Sequence, residues 1–354
     1  MSSRSGTAGI AGVYARTVMA GALFAGSSLL AQGPPQGAPP PPPGAPPAQA
    51  APAASPPSPA AIERANTILA AARAAMGGAA LEGVKTVTAA GRTKRVRGNN
   101  LVPIEFELGI EFPDKYFRKD EFPAEETDPT SVGFNGWALV QHPAPAAPMA
   151  RAGGPPPPTP EQLEKQRRTR VTGIKQDFVR FALGMFPQSF DAYPLTFAYA
   201  AQAEAPQGKA DVLDVTAEGG FKLRYLIDAT TRLPIMVSWQ LPPTNVIVTV
   251  PGQPPPATIA PGAVVISAPA PPPATATDEE KGAYAKSVQA LQAKARATPV
   301  EHRVYFADYR DVGGGVKFPF RLRRAIGADT TEETTFDRFQ LNGRIDPRRF
   351  QPVK

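Results

Sequence analysis

The stretch that decides the fold is VYFADYRDVGGGVKFPFRLRR, residues 304–324. Its first part, residues 304–310, has the composition of a strand and runs into a turn with three consecutive glycines. In its second part, residues 317–323, large apolar residues alternate with basic ones, which indicates a strand with one buried and one exposed face. A turn near Gly327 leads into a third run rich in Thr and Glu. The stretch therefore predicts an antiparallel meander.

The same two-residue period recurs upstream. It is clearest in IEFELGIEF, residues 104–112, where apolar side chains alternate with glutamates. Similar runs occupy residues 221–227 and 235–241, and Asn135-Gly136 between apolar flanks is a strong hairpin signal. We count about ten strands, and we interpret the glutamate row as a solvent face rather than as an acid–base pair.

Helical periodicity is confined to three segments. A helix is expected from Pro59 to the pair Gly77-Gly78, a second from Thr159 to Pro187, and a polar, Ala-rich one at about 277–297. The predicted fold class is α+β. Two good amphipathic helices are few for about ten strands, so two arrangements stay open: an open barrel with an apolar interior, or helices that fill the sheet.

The chain divides by composition. Residues 1–31 contain Arg4, Arg16 and a short apolar run, which predicts a signal peptide cleaved near Ala31 or, alternatively, an uncleaved N-terminal anchor. Residues 32–58 form a Pro/Ala-rich linker. The domain spans 59–354, with Pro-rich insertions at 143–160 and 251–299. We expect a periplasmic or otherwise exported protein.

The residues offer little for catalysis. The 354 residues include no cysteine and only two histidines, His142 and His302, which are distant in sequence and lack partners at metal-ligand spacing. No Gly-x-Ser-x-Gly motif occurs, and the glycine clusters do not precede helices. The net charge of +7 comes from basic clusters without interleaved aromatics, which argues against nucleic-acid binding. We expect no enzyme activity, no metal and no cofactor.

Several short segments together resemble the periplasmic outer-membrane lipoprotein carriers (the LolA/LolB-like family), as a divergent member. They are MGGAAL (76–81), FPDKY (112–116), FNGW (134–137), YLID (225–228), TRLP (231–234), FADYR (306–310), VKFP (316–319) and LNG (341–343). The resemblance covers about residues 60–250 and 300–352. It implies an unclosed antiparallel β-barrel wrapped around two to three helices, with acyl chains or another apolar ligand in its concave face. The Pro-rich insertions and the N-terminal proline stalk are not features of that family.

The first functional hypothesis is therefore non-catalytic periplasmic binding of lipid or lipoprotein acyl chains in envelope transport. Lipoproteins, envelope proteins and the membrane surface are the further partners expected. The residues predicted to line the ligand cavity are Phe106, Leu108, Ile110, Leu223, Tyr225, Val237, Trp239, Phe318, Phe320 and Leu322. The alternative is an envelope sensor or scaffold module of the same fold that binds a protein partner. A hydrolase that uses exposed carboxylates is the weakest hypothesis.

Overall fold

The computed structural model describes residues 56–98, 100–123, 127–145, 157–205, 208–252 and 259–352. The predicted signal peptide or anchor, nearly all of the Pro/Ala-rich linker and most of the insertion at 143–160 lie outside these ranges. Among the described residues, no helix is both long enough and apolar enough to cross a membrane.

Fourteen strands and four α-helices make up the described part. The helices are α1 (Pro59–Ala75), α2 (Ala79–Glu82), α3 (Pro160–Ala182) and α4 (Asp278–Ala297). The strands of the N-terminal half are β1 (Thr86–Arg97), β2 (Asn100–Glu111), β3 (Lys115–Glu121), β4 (Thr130–Asn135), β5 (Ala138–His142), β6 (Thr196–Ala205) and β7 (Gly208–Ala217). Those of the C-terminal half are β8 (Phe221–Asp228), β9 (Pro234–Leu241), β10 (Asn245–Thr249), β11 (Ala263–Ser267), β12 (Val300–Asp311), β13 (Lys317–Ile326) and β14 (Asp329–Leu341).

Twelve strands form one antiparallel sheet in the order β5-β4-β3-β2-β1-β14-β13-β12-β9-β8-β7-β6. Three meanders of consecutive strands join through the pairs β1–β14 and β12–β9. The outer strands β5 and β6 do not pair with each other, so the sheet is an unclosed barrel, as expected. The count is twelve rather than about ten, chiefly because β6 was not predicted: its sequence, TFAYAAQAEA, is rich in alanine.

Helices α1 and α3 pack on the inner face of this sheet. Ser58 caps α1 by accepting a hydrogen bond from the backbone amide of Ala61, and the buried stripe of the helix is Ala65, Ile68, Leu69 and Ala72. Thr159 and Gln162 form the capping box of α3 that the sequence indicates. The N-terminal half of α3 is exposed, whereas its last turns are buried in the core.

The C-terminal end of α3 is fixed to the sheet by two tyrosines. The hydroxyl of Tyr225 donates to the carbonyl oxygen of Leu183 at 2.8 Å, and that of Tyr309 is shared between the carbonyl oxygens of Gly184 at 2.9 Å and Pro234 at 2.8 Å. The last carbonyls of a helix have no partner within the helix, so these side chains satisfy groups that burial would otherwise leave unpaired. The helix ends at Ala182, five residues before the Pro187 that was expected to stop it.

The second insertion leaves the main sheet and returns at one point. Leu241 at the end of β9 lies directly opposite Val300 at the start of β12. Between them, β10 and β11 form a separate two-stranded parallel sheet, and α4 contacts it. The polar helix predicted at about 277–297 is α4.

Candidate functional site

The ten residues predicted to line a cavity belong to strands of the main sheet. Nine are buried in the core, and Phe320 is half-buried against the ring of Phe339, 5.2 Å away between centroids. Most of the nine are packed by neighbouring side chains and helices; Tyr225, for example, is fully buried beneath the end of α3. Two of them, Leu108 and Leu322, line an open cavity.

That cavity has a volume of about 290 Å³ and lies between α3 and the inner face of the sheet, which we call the inner cavity. Its apolar wall consists of Leu108, Val132, Ile174, Phe178, Phe181, Leu322 and Phe336. Two aromatic rings of this wall are in contact, since Phe181 and Phe336 stack with centroids 6.2 Å apart. Asp177, whose side chain is mostly exposed, marks the side of the cavity open to solvent.

One end of the inner cavity is charged. Glu332 on β14 lies across from Arg95 on β1, with 2.9 Å between Oε2 and Nε, and 3.7 Å from Arg324 on β13. Arg118 on β3 donates from Nε to Asp120 at 2.6 Å. All five side chains line the cavity, so an apolar wall and an ionic end meet in one space.

Burial shifts the pKa values of this charged end. Desolvation by itself raises the pKa of Glu332, but Arg324, Arg118 and Arg95 lower it by more. The net effect is a lowered pKa, so the group stays ionised. Burial lowers the pKa of Arg118, yet Asp120 and Glu332 outweigh that effect and raise it. Burial raises the pKa of Tyr116, which also lines the cavity, to about 12. The end is a fixed array of full charges at neutral pH.

The charged array continues across the sheet toward Trp239. Arg180 on α3 donates to Asp177 at 2.7 Å, and its guanidinium carbon lies 4.4 Å from the centroid of the Trp239 ring. His302 also stacks with the Trp239 ring, with ring centroids 5.4 Å apart. Burial and the nearby Arg180 both lower the pKa of His302, so the imidazole is neutral at neutral pH.

These charged residues are not among the predicted site residues, although strand alternation does place them on the inner face. Arg324 continues the inner-facing series of Phe318, Phe320 and Leu322 at two-residue steps, whereas Arg321 and Arg323 face outward. Arg95 continues the series of Val87 and Ala89 in the same way, across the irregularity at Gly91. Charged residues are rarely buried without a partner, so basic clusters in a sequence are ordinarily assigned to solvated faces.

A second, larger depression lies on the other face of the sheet. This outer groove has a volume of about 820 Å³ and is lined by residues such as Leu226, Met236, Tyr305 and Arg323. These residues are paired side by side on β8, β9, β12 and β13, one position along from the inner-facing Tyr225, Val237, Val304 and Arg324. The groove lacks the buried ionic array of the inner cavity.

Catalytic or metal-binding geometry does not emerge from the described residues. No group of three or more His, Asp or Glu side chains among them is placed to hold a metal ion. His142 lies at the end of β5 and His302 at the start of β12, on strands far apart in the sheet order.

No protein-family model matches the chain, and no curated protein does. Solved structures are similar to it, among them the three that follow. A DUF1329 family protein from Desulfovibrio piger is 8% identical, with 82% of this chain and 97% of that chain covered and a TM-score of 0.38. A putative outer membrane lipoprotein-sorting protein domain from Vibrio parahaemolyticus is 8% identical, with 81% and 97% covered and a TM-score of 0.38. A LolA superfamily protein from Nitrosomonas europaea is 12% identical, again with 81% and 97% covered, at a TM-score of 0.41. One of these three proteins is named as a LolA superfamily protein, and this chain is similar to it at low sequence identity.

Proposed function

We propose that this protein binds a lipid or a lipoprotein acyl chain without catalysis, outside the cytoplasm, in transport across the cell envelope. The observation that carries the proposal is the inner cavity, which joins an aromatic and aliphatic wall to a partly buried ionic end. Each methylene group moved from water into such a wall contributes about 0.8 kcal/mol. An acyl chain consists of such methylene groups, so its burial against this wall is favourable.

The unclosed sheet supports the same function. Helix α3 covers the cavity from one side with only its C-terminal half, and Ile174 at the rim is half-buried. A chain can therefore enter between the helix and the strands. Lipoproteins, other envelope proteins and the membrane surface are the sources of ligand that we propose, with export directed by the N-terminal segment.

The test begins with the full chain purified from membrane-bearing cells. Its organic extract is examined by mass spectrometry, and its binding of a fluorescent long-chain fatty acid is titrated. We expect a co-purifying lipid and saturable binding of the probe. Absence of both would overturn the proposal.

A matched pair of variants identifies the site. Ile174→Trp adds bulk to the inner cavity and should weaken probe binding about tenfold or more, because the added ring takes the space of the ligand. Met236→Trp adds the same ring to the outer groove, and should leave binding unchanged. The reverse result would assign the ligand to the outer groove and contradict the inner cavity.

A second candidate function is the binding of a protein partner by the insertion. The observation that favours it is the exposure of α4, in which Ala295 is the buried residue. Partner capture that is lost when residues 242–299 are removed, while lipid binding remains, would support this role.

A further inference from the structure

Two buried hydrogen-bond donors lie just outside the lining of the inner cavity, near its lining residue Asp177, and have no acceptor. The Nε atom of Arg180 and the indole Nε1 atom of Trp239 are both inaccessible to solvent and make no hydrogen bond within the described residues. Both residues are 8% exposed, and the guanidinium lies over the indole ring. An unsatisfied buried donor costs about 1–3 kcal/mol, and the great majority of such groups in native proteins are paired.

A third donor group faces the same region. Arg324 lines the inner cavity together with Asp177, the partner of Arg180, and its charge adds to the effect of burial in lowering the pKa of Arg180. Among the hydrogen bonds between described residues, none is donated by Arg324; its contact is the ion pair with Glu332 at 3.7 Å. Its guanidinium therefore keeps most of its donor capacity for another acceptor.

The charges of the region do not balance. Arg95, Arg118, Arg180 and Arg324 face Asp120, Asp177 and Glu332, which leaves one excess positive charge. Planar guanidinium groups bind carboxylate and phosphate oxygens through paired hydrogen bonds, and these bonds are stronger than neutral ones. One added anion would supply both the missing charge and the missing acceptors.

We propose that the inner cavity, between its charged residues and the neighbouring Arg180, binds the anionic head group of an amphiphile, a carboxylate or a phosphate. The head group accepts hydrogen bonds from Arg180, Arg324 and Trp239, and its chain lies along the apolar wall. This inference rests on the proposed lipid-binding function and specifies the chemical class of its ligand.

The experiment compares ligands that share one chain and differ in the head group. Lauric acid, lauryl phosphate and lauryl alcohol are titrated against the full chain by calorimetry. We expect the acid and the phosphate to bind about tenfold or more tightly than the alcohol. Equal affinities would overturn the head-group inference and leave the lipid-binding function intact. If none of the three binds, the lipid-binding function itself fails.

Variants distinguish the loss of a hydrogen-bond donor from a general effect on folding. Trp239→Phe keeps an aromatic ring for stacking but removes the Nε1 donor, and Arg324→Gln removes one cation. Both should weaken lauric acid binding severalfold while leaving lauryl alcohol binding unchanged. Arg321→Gln removes an outward-facing cation three positions away, on the same strand, and should change neither. A parallel loss of acid and alcohol binding in the first two variants would contradict the inference.

Free anions provide the last control. Acetate and inorganic phosphate are added as competitors of lauric acid. We expect neither to compete at concentrations near that of the amphiphile, because they lack the apolar chain. Competition at equal concentration would show that the site holds a free anion, and would overturn the assignment to an amphiphile.

Discussion

Glu332 and Arg95 lie directly opposite each other on neighbouring strands, with their charged atoms 2.9 Å apart and only 10% of the glutamate side chain exposed. Glu333, the next residue, faces solvent on the other side of the sheet, opposite Lys94. Two adjacent carboxylates of one strand therefore have opposite environments, and they form a natural pair for mutation.

The buried carboxylate should make stability depend on acid pH. The arginines lower the pKa of Glu332 below its unfolded value of about 4.5, so its contribution is present above that pH and is lost as pH falls through the folded pKa. Urea unfolding between neutral pH and about pH 3 measures this. Glu332→Gln should lower the free energy of unfolding by about 2 kcal/mol at neutral pH. It should also reduce the loss of stability between neutral pH and about pH 3, which we call the acid limb. Glu333→Gln should do neither; an unchanged acid limb in Glu332→Gln would refute the assignment.

The turn after α3 should tolerate no added side chain. A Cβ atom at Gly184 would lie 2.4 Å from the ring of Phe306, which is buried on β12. Gly184→Ala should therefore destabilise the protein by about 1–3 kcal/mol through overpacking. Gly173 is the matched control, since it lies on the exposed side of α3 with open space around its Cβ position. Gly173→Ala should stabilise by up to about 1 kcal/mol, and thermal unfolding of both variants checks the contrast.

The hydroxyl of Tyr225 should stabilise the fold in addition to the burial of its ring. Tyr225→Phe preserves the ring but leaves the carbonyl of Leu183 without its 2.8 Å partner in the core. We expect a loss of about 1–2 kcal/mol in the free energy of unfolding. Tyr305→Phe, on the outer face, should change it by less than about 0.5 kcal/mol. Equal effects would mean that the hydrogen bond does not hold the helix end.

Removal of the insertion should leave the domain folded. Because Leu241 and Val300 are already paired, replacing residues 242–299 with an Asn-Gly turn continues the β9–β12 ladder as a hairpin. Far-ultraviolet circular dichroism, the unfolding midpoint and fatty-acid binding should stay close to those of the full chain. Loss of cooperative unfolding in the shortened protein would show that the insertion is part of the core.

Strand periodicity was sufficient to predict the class of fold and the composition of the inner face. Residues such as Phe106, Leu223 and Val237 are buried as their alternation indicates, because register and burial are linked in a half-buried strand. The position and extent of the open cavity could not be predicted in the same way. It depends on where α3 lies against the strands, and that is decided by contacts distant in sequence, such as Tyr225 with Leu183.

The charged end shows a different limit of sequence reasoning. Arg95, Arg118 and Arg324 each satisfy the alternation for an inner position, but a charged side chain is ordinarily assigned to solvent. Only the pairing of β1 with β14 brings Arg95 beside Glu332, and these residues are separated by most of the chain. The partner that permits burial is a long-range contact, which no local pattern contains.

The gap between β5 and β6 gives the molecule a mechanical property. In the described part of the sheet, those two strands share no ladder, so moving them apart breaks no backbone hydrogen bond between strands. The resistance to such a motion comes from side-chain packing on α1 and α3, and that packing weakens gradually with distance rather than in discrete steps. The width of the space between the two outer strands is therefore set by side-chain packing and not by a closed ladder of backbone hydrogen bonds.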